Sequence, residues 1–124
     1  MNEEKTEKLG NVRISDEIIA TAAAVAASRV EGVASLGAGL TENLSINLRL
    51  TAHPRGIRIA RTEEELMIDI YVNVFYGCKI PEVAWNIQEQ VKDEVERLTG
   101  QKTTAININV QGVTLPPELS GLSI

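Results

Sequence analysis

Cys78 is the chain's one thiol and His53 its one imidazole, so any thiol or imidazole chemistry must start from these two residues. Cys78 follows Tyr76-Gly77 and stands just before a predicted helix N-terminus, a setting that lowers a thiol pKa. A nucleophilic cysteine also needs a base, and His53 is the only histidine that could serve. Cys78 therefore reads as a turn or buried cysteine. A single cysteine closes no intramolecular disulfide, and one cysteine with one histidine falls short of a zinc ligand set. His53 sits beside Pro54 with no cysteine or acidic cluster next to it, and reads as a turn residue. Neither residue implies a metal or a cofactor.

The other chemistry-bearing groups each lack a companion. Gly37-Ala38-Gly39 begins like a dinucleotide fingerprint, but Glu42 stands where the third glycine belongs, and no Gly-Lys-Ser/Thr occurs. The segment reads as a loop. Asn43-Leu44-Ser45 is a glycosylation sequon, which matters only in a secreted chain. Glu63, Glu64 and Glu65 adjoin one another, as do Asp93, Glu94 and Glu96. Clustered carboxylates can hold a cation or exchange protons. These fall in a turn and on the outer face of a helix, where solvated charge is the default.

The basic residues are the more informative set. Arg49, Arg55, Arg58 and Arg61 gather around two hairpin turns in a chain of net charge -5. They could meet a phosphate, an acidic partner, or the Glu63–Glu65 run of a neighbouring copy. The plainer alternative is local pairing on the sheet surface. Trp85 lies off the apolar stripe of its helix, as an interface anchor or a cover over a sheet edge. Tyr71 and Phe75 fall on the wetter side of a long strand. Arg49, Arg55, Arg58, Arg61, Tyr71, Phe75 and Trp85 are thus the candidate interaction residues, and no catalytic set emerges.

The elements that must position them follow from periodicity. Val12 and Ile14 alternate with polar residues and predict a short strand. Ser15 is a good N-cap, with Asp16 and Glu17 suited to the positive end of a helix running to about Arg29. Ile18, Ile19, Ala22, Ala23, Ala26 and Val30 fall close to one face of it. Leu44, Ile46, Leu48 and Leu50 alternate as a strand, His53-Pro54-Arg55-Gly56 makes a turn, and Ile57 and Ile59 resume the alternation. After a turn at 61–65, Leu66, Ile68, Ile70, Val72 and Val74 line one face of a long strand. Short connections favour an antiparallel meander here.

Pro81 opens the second helix, in which Ile80, Ala84, Ile87, Val91, Val95 and Leu98 recur at steps of three and four. Arg97 suits its last turn and Gly100 its C-terminal cap. Ile106, Ile108 and Val110 then alternate with Asn107, Asn109 and Gln111 as a closing strand that Pro116-Pro117 stops. The order is β-α-β(β)β-α-β. This is an α+β domain, with two helices on one face of a mixed or antiparallel sheet and the other face wet. One domain spans 10–114, between a solvated tail at 1–9 and a C-terminal tail at 115–124.

At 124 residues the chain suits a single core, and its 44% hydrophobic and 23% charged residues are ordinary for a globular domain. Only 3% of residues are aromatic, so the core is aliphatic. Net negative charge disfavours nucleic acid and anionic membrane as general partners. Residues 1–9 lack the apolar run of a signal peptide. The uncharged stretch Ile18 to Ser28 is far short of the roughly 20 apolar residues of a membrane span.

Three groups of residues together resemble the alkaline shock protein family. Gly10-Asn11-Val12-Arg13-Ile14-Ser15 before an alanine-rich helix, then Val30-Glu31-Gly32-Val33, is similar to its opening. Tyr76-Gly77, Ile80, Val83-Ala84, Ile87-Gln88 and Val91 resemble its second helix. Thr99-Gly100, Ile106 to Val110 and Gly112-Val113 resemble its closing strand. The match covers about residues 10–113, with Ala38 to Pro54 fitting poorly. The resemblance implies a bacterial cytoplasmic protein that assembles with itself and is held at the membrane by a separate integral membrane protein. It implies a role in cell-envelope homeostasis and alkaline or general stress, and no enzymatic activity. Gly32, Gly77, Gly100 and Gly112 carry over as structural positions. The expected function is a self-associating scaffold or adaptor. The alternatives are an RNA- or phosphate-binding module using the Arg49–Arg61 cluster, or a regulator of a metabolic enzyme.

Overall fold

The computed structural model describes residues 12–37, 56–103 and 105–120. Along the chain these form α1 (Asp16–Ser28), β1 (Val33–Leu36), β2 (Ile57–Arg61), β3 (Leu66–Phe75), α2 (Ile80–Thr99), β4 (Ala105–Thr114) and α3 (Pro117–Ser120). β3 is the hub, and every other strand pairs with it. Its side chains alternate without exception between buried and half-buried. Leu66, Ile68, Ile70, Val72 and Val74 point into the core, and none is more than 1% exposed. Such a period of two fixes the register, since a one-residue slip would send all five to the open side.

β4 runs parallel along β3 from Met67 to Phe75 and takes up one whole edge. β2 and β1 therefore share the other edge end to end, both antiparallel to β3. β2 pairs with Leu66 to Ile70, and β1 with Val72 to Val74. The parallel pairing needs a crossover, which α2 supplies. The sheet is mixed, and the α+β class and the two helices on one face hold.

α1 starts where Ser15 Oγ accepts the Ile18 N–H at 3.2 Å. Its buried residues are Ile19, Ala20, Ala23, Ala26 and Ala27. The stripe is rotated from the one its periodicity suggests, for Ile18 is exposed and Ala20 and Ala27 are fully buried. Alanines let α1 lie close to α2 and the sheet, and that close contact rather than bulk decides which face turns in. α2 buries Val83, Ile87, Val91 and Val95, while Ile80 and Leu98 lie exposed at its two ends. Gly100 ends α2 with φ 73°, its N–H bonded to the Glu96 carbonyl.

Three local expectations change. Residues 12–15 form no strand, because Val12 is exposed and Ile14 alone packs on the core. β1, after the Gly32 turn, fills that place on the β3 edge instead. The closing strand extends past Val110 to Thr114 through an irregularity opposite Val72 and Asn73. Gly112 allows this, since a Cβ there would stand 2.6 Å from Asn73 Oδ1. The meander covers only the β2–β3 hairpin, as β4 returns parallel. The strand predicted at 44–50 and the residues His53-Pro54-Arg55 lie outside the described residues.

Candidate functional site

The helix-free face of the sheet carries Met67, Asp69, Tyr71, Asn73 and Phe75 from β3, all half-buried. β2 adds Arg58 and Ala60, which pair with Asp69 and Met67. β4 adds Asn107 and Asn109, which pair with Asp69 and Tyr71. Polar side chains brace this face. Asn107 Nδ2 donates to Asp69 Oδ1 at 2.8 Å. Asn73 Nδ2 donates to Ser35 Oγ at 2.9 Å and to the Gly37 carbonyl at 3.2 Å. The Arg58 guanidinium lies 5.4 Å from the centre of the Tyr71 ring, within cation–π range.

Tyr71 also organises the edge between β1 and β2. The Gly37 N–H donates to the Tyr71 carbonyl, and the Tyr71 N–H donates to the Gly56 carbonyl, each at 2.8 Å. Gly37 and Gly56 therefore meet at one point of β3. Arg49, His53 and Arg55 lie outside the described residues.

Arg58 and Arg61 do not converge. Strand alternation sends Arg58 to the open face and Arg61 to the helix side. There Arg61 Nη2 lies 2.8 Å from Asp16 Oδ1 and donates to the Ile14 carbonyl at 2.8 Å. This ties β2 to the start of α1 and occupies the guanidinium.

Trp85 is in a third place. It is 60% exposed on α2, turned away from the Val83–Ile87 stripe. Gln88, one turn on, donates to the Ile106 carbonyl of β4 at 2.9 Å. Residues three apart share a helix side, so Trp85 stands on the flank of α2 that borders β4. The structure thus brings Arg58, Tyr71 and Phe75 onto one face, and sets Arg61 and Trp85 apart from it.

Cys78 is half-buried in the turn between β3 and α2, with its N–H on the Phe75 carbonyl. It belongs to the rim of the core. Among the described residues no group of three His, Cys, Asp or Glu could hold a metal ion. Glu63, Glu64 and Glu65 are exposed in a turn that Thr62 shapes, its Oγ1 accepting the N–H groups of Glu64 and Glu65. Glu94 pairs with Arg97 at 2.7 Å. Glu96 accepts the Thr103 N–H at 2.9 Å and its hydroxyl at 3.1 Å. Its carboxyl is held below the ordinary value, first by the Thr103 N–H, against partial desolvation and with help from the Thr103 hydroxyl and Lys92. That carboxylate fastens the end of α2 to the approach of β4.

Sequence reasoning overlooked the β4 edge. Val110 is 37% and Val113 56% exposed, on the strand that borders Trp85. The available signal was composition, for no charged residue occurs from Ala105 to Thr114.

The alkaline shock protein 23 (ASP23) family, described by a cell envelope-related function, matches residues 4–115. The chain belongs to this family. The uncharacterized protein YloU of Bacillus subtilis is 36% identical over 115 residues, 91% of this chain and 96% of that protein. The uncharacterized protein Spy1614 of Streptococcus pyogenes is 31% identical over 113 residues, 90% of this chain and 93% of that one. The family description names an envelope-related role and no reaction. Among solved structures, a MamM CTD variant in a manganese form covers 82% of this chain and 100% of its own, at 16% identity and TM-score 0.46.

Proposed function

We propose that this ASP23-family chain is a non-catalytic scaffold or adaptor in cell-envelope homeostasis and alkaline stress. It works in the cytoplasm, associates with itself, and docks to a membrane-embedded partner. The observation that carries this is the helix-free sheet face, where Tyr71 and Phe75 are half-buried and neither α1 nor α2 covers them. Amphipathic aromatics on such a face suit recognition of another protein surface. The family's envelope-related description supports the setting. Among the described residues no helix is long and apolar enough to cross a membrane, which favours a membrane role exerted through a partner. The oligonucleotide alternative is weakened because Arg58 and Arg61 leave β2 on opposite faces.

Light scattering on the purified chain, with affinity capture from crosslinked cells, tests the proposal. A concentration-dependent oligomer and co-purification of a small integral membrane protein are expected. A strict monomer that captures no membrane protein would overturn it.

A further inference from the structure

The geometry points to the outer edge of β4, capped by Trp85, as the surface on which a second copy of this chain docks by antiparallel strand pairing. The inference rests on the self-association proposed above and gives it a location. β4 is ten residues long and bonds to β3 along one edge; among the described residues no strand pairs with its other edge. Natural edge strands discourage such pairing with lysine, proline, inward charge or brevity. β4 has none of these, reading Ala-Ile-Asn-Ile-Asn-Val-Gln-Gly-Val-Thr, rich in β-branched residues and without charge. It has one irregularity, at Gln111 between Val110 and Gly112, which leaves Ala105 to Val110 as the regular stretch of the edge.

The missing charge also selects the occupant. At a two-fold interface the residues on the axis face their own copies, so any charge close to the axis meets a like charge. In a chain of net charge -5, a ten-residue strand free of charge can meet its own copy without like-charge repulsion. Pairing with a two-fold axis at Asn109 sets Ile108 opposite the partner's Val110 on the helix side. On the open side it sets Asn109 against its own copy, so apolar faces apolar and amide faces amide, short of the irregularity at Gln111.

Trp85 fits the same arrangement. α2 runs from the end of β3 back to the start of β4, so it is antiparallel to β4. Gln88 is level with Ile106 through its hydrogen bond. Trp85 is three residues earlier, about 4.5 Å along the helix, which is about one to two residues along the strand toward Ile108. Across the two-fold axis that level belongs to the partner's Val110. The exposed indole of each copy then covers the added strand, and Val113, exposed beyond the start of α2, gains a neighbour.

A disulfide trap with sedimentation tests this on the full chain. In a C78S background, Asn109→Cys should form an intermolecular disulfide under mild oxidation, whereas Ala60→Cys on the opposite sheet edge should not. Val113→Lys and Trp85→Gln, both at exposed positions, should weaken the dimer at least tenfold while leaving the melting of the dilute monomer unchanged. Hydrogen exchange should show the outward β4 amides protected only at concentrations where the dimer forms. An oligomer indifferent to V113K and W85Q, with no N109C crosslink, overturns this edge while self-association stands. A chain monomeric at every concentration overturns both. Outward β4 amides already protected in the dilute monomer assign the edge to another segment of the same chain, and also overturn the proposal.

Discussion

Gly56→Ala is a severe test of how the sheet edge is built. Gly56 is buried with φ 79°, a backbone region that L side chains resist. A Cβ there would stand 2.5 Å from the Gly37 nitrogen and 2.8 Å from the Tyr71 carbonyl oxygen. Both are backbone atoms in hydrogen bonds, so no side chain can swing aside. The left-handed conformation costs a non-glycine residue about 1–2 kcal/mol. Relieving the clash also separates the Gly37–Tyr71 and Tyr71–Gly56 pairs, each bonded at 2.8 Å and each worth about 1 kcal/mol net. The expected loss is about 3–4 kcal/mol, the sum of those two contributions. Gly77→Ala is the matched control. Gly77 has φ 98°, yet a Cβ there meets nothing within 4 Å, so only the conformational cost of about 1–2 kcal/mol applies. Urea unfolding of both variants, compared at equal slope, gives the difference directly. If G56A is no less stable than G77A, Gly37 and Gly56 do not meet at Tyr71, and the account of that edge is wrong.

Ile87→Ala, at the fully buried centre of α2, should cost about 2–5 kcal/mol in the same assay, and Leu98→Ala at its exposed end far less. A double-mutant cycle on Asp16 and Arg61 should give a coupling below about 1 kcal/mol, because both side chains are partly exposed; a larger coupling would mean the pair is drier than its geometry shows. Glu96 has a folded pKa below its unfolded value, so its stabilisation is complete above the unfolded pKa and disappears as pH falls through the folded one. Glu96→Gln should therefore flatten the acid-side dependence of melting temperature on pH, and identical profiles for the two proteins would refute that assignment. Arg58→Ala should lose about 0.5–1 kcal/mol through the Tyr71 ring contact, with little dependence on pH.

What could be read from the sequence was mostly what local chemistry decides. Ser15 capping α1, Gly100 ending α2 and the five alternating core residues of β3 each follow from a cap, a left-handed turn or a period of two. The rotation of α1 was not legible, since in an alanine-rich helix the apolar residues surround much of the axis and packing chooses among faces. Nor was the parallel return of β4, because its Ile-Asn-Ile-Asn-Val alternation is the same for either direction. Among the candidate site residues, the exposure of Trp85 followed from its offset against Ile87 and Val91. The separation of Arg58 from Arg61 was legible too, for their spacing is odd and a strand sends odd spacings to opposite faces. Nearness in sequence had suggested a cluster where alternation forbids one.

The exposure of β4 has its cause in the connection that makes the sheet mixed. α2 begins only after the Tyr76-Gly77-Cys78-Lys79 turn, and its buried stripe starts at Val83. β4 nevertheless follows β3 to its very end, Thr114 pairing with Phe75 and accepting the Tyr76 N–H at 2.8 Å. The last residues of β4 are therefore level with the turn rather than with the helix, and Val113 lies uncovered although it shares a face with buried Val74. A longer α2 would have covered it, and a charged residue would have kept it solvated; the chain has neither. An antiparallel β4 on this edge could have followed β3 through a tight hairpin, with no crossover helix to flank it. The parallel crossover leaves an uncharged strand edge beside the flank of α2 that carries the exposed Trp85, whereas the β1–β2 edge carries Arg58 and Arg61 and is divided at the Gly37–Gly56 junction, and that contrast is what makes β4 the better docking surface.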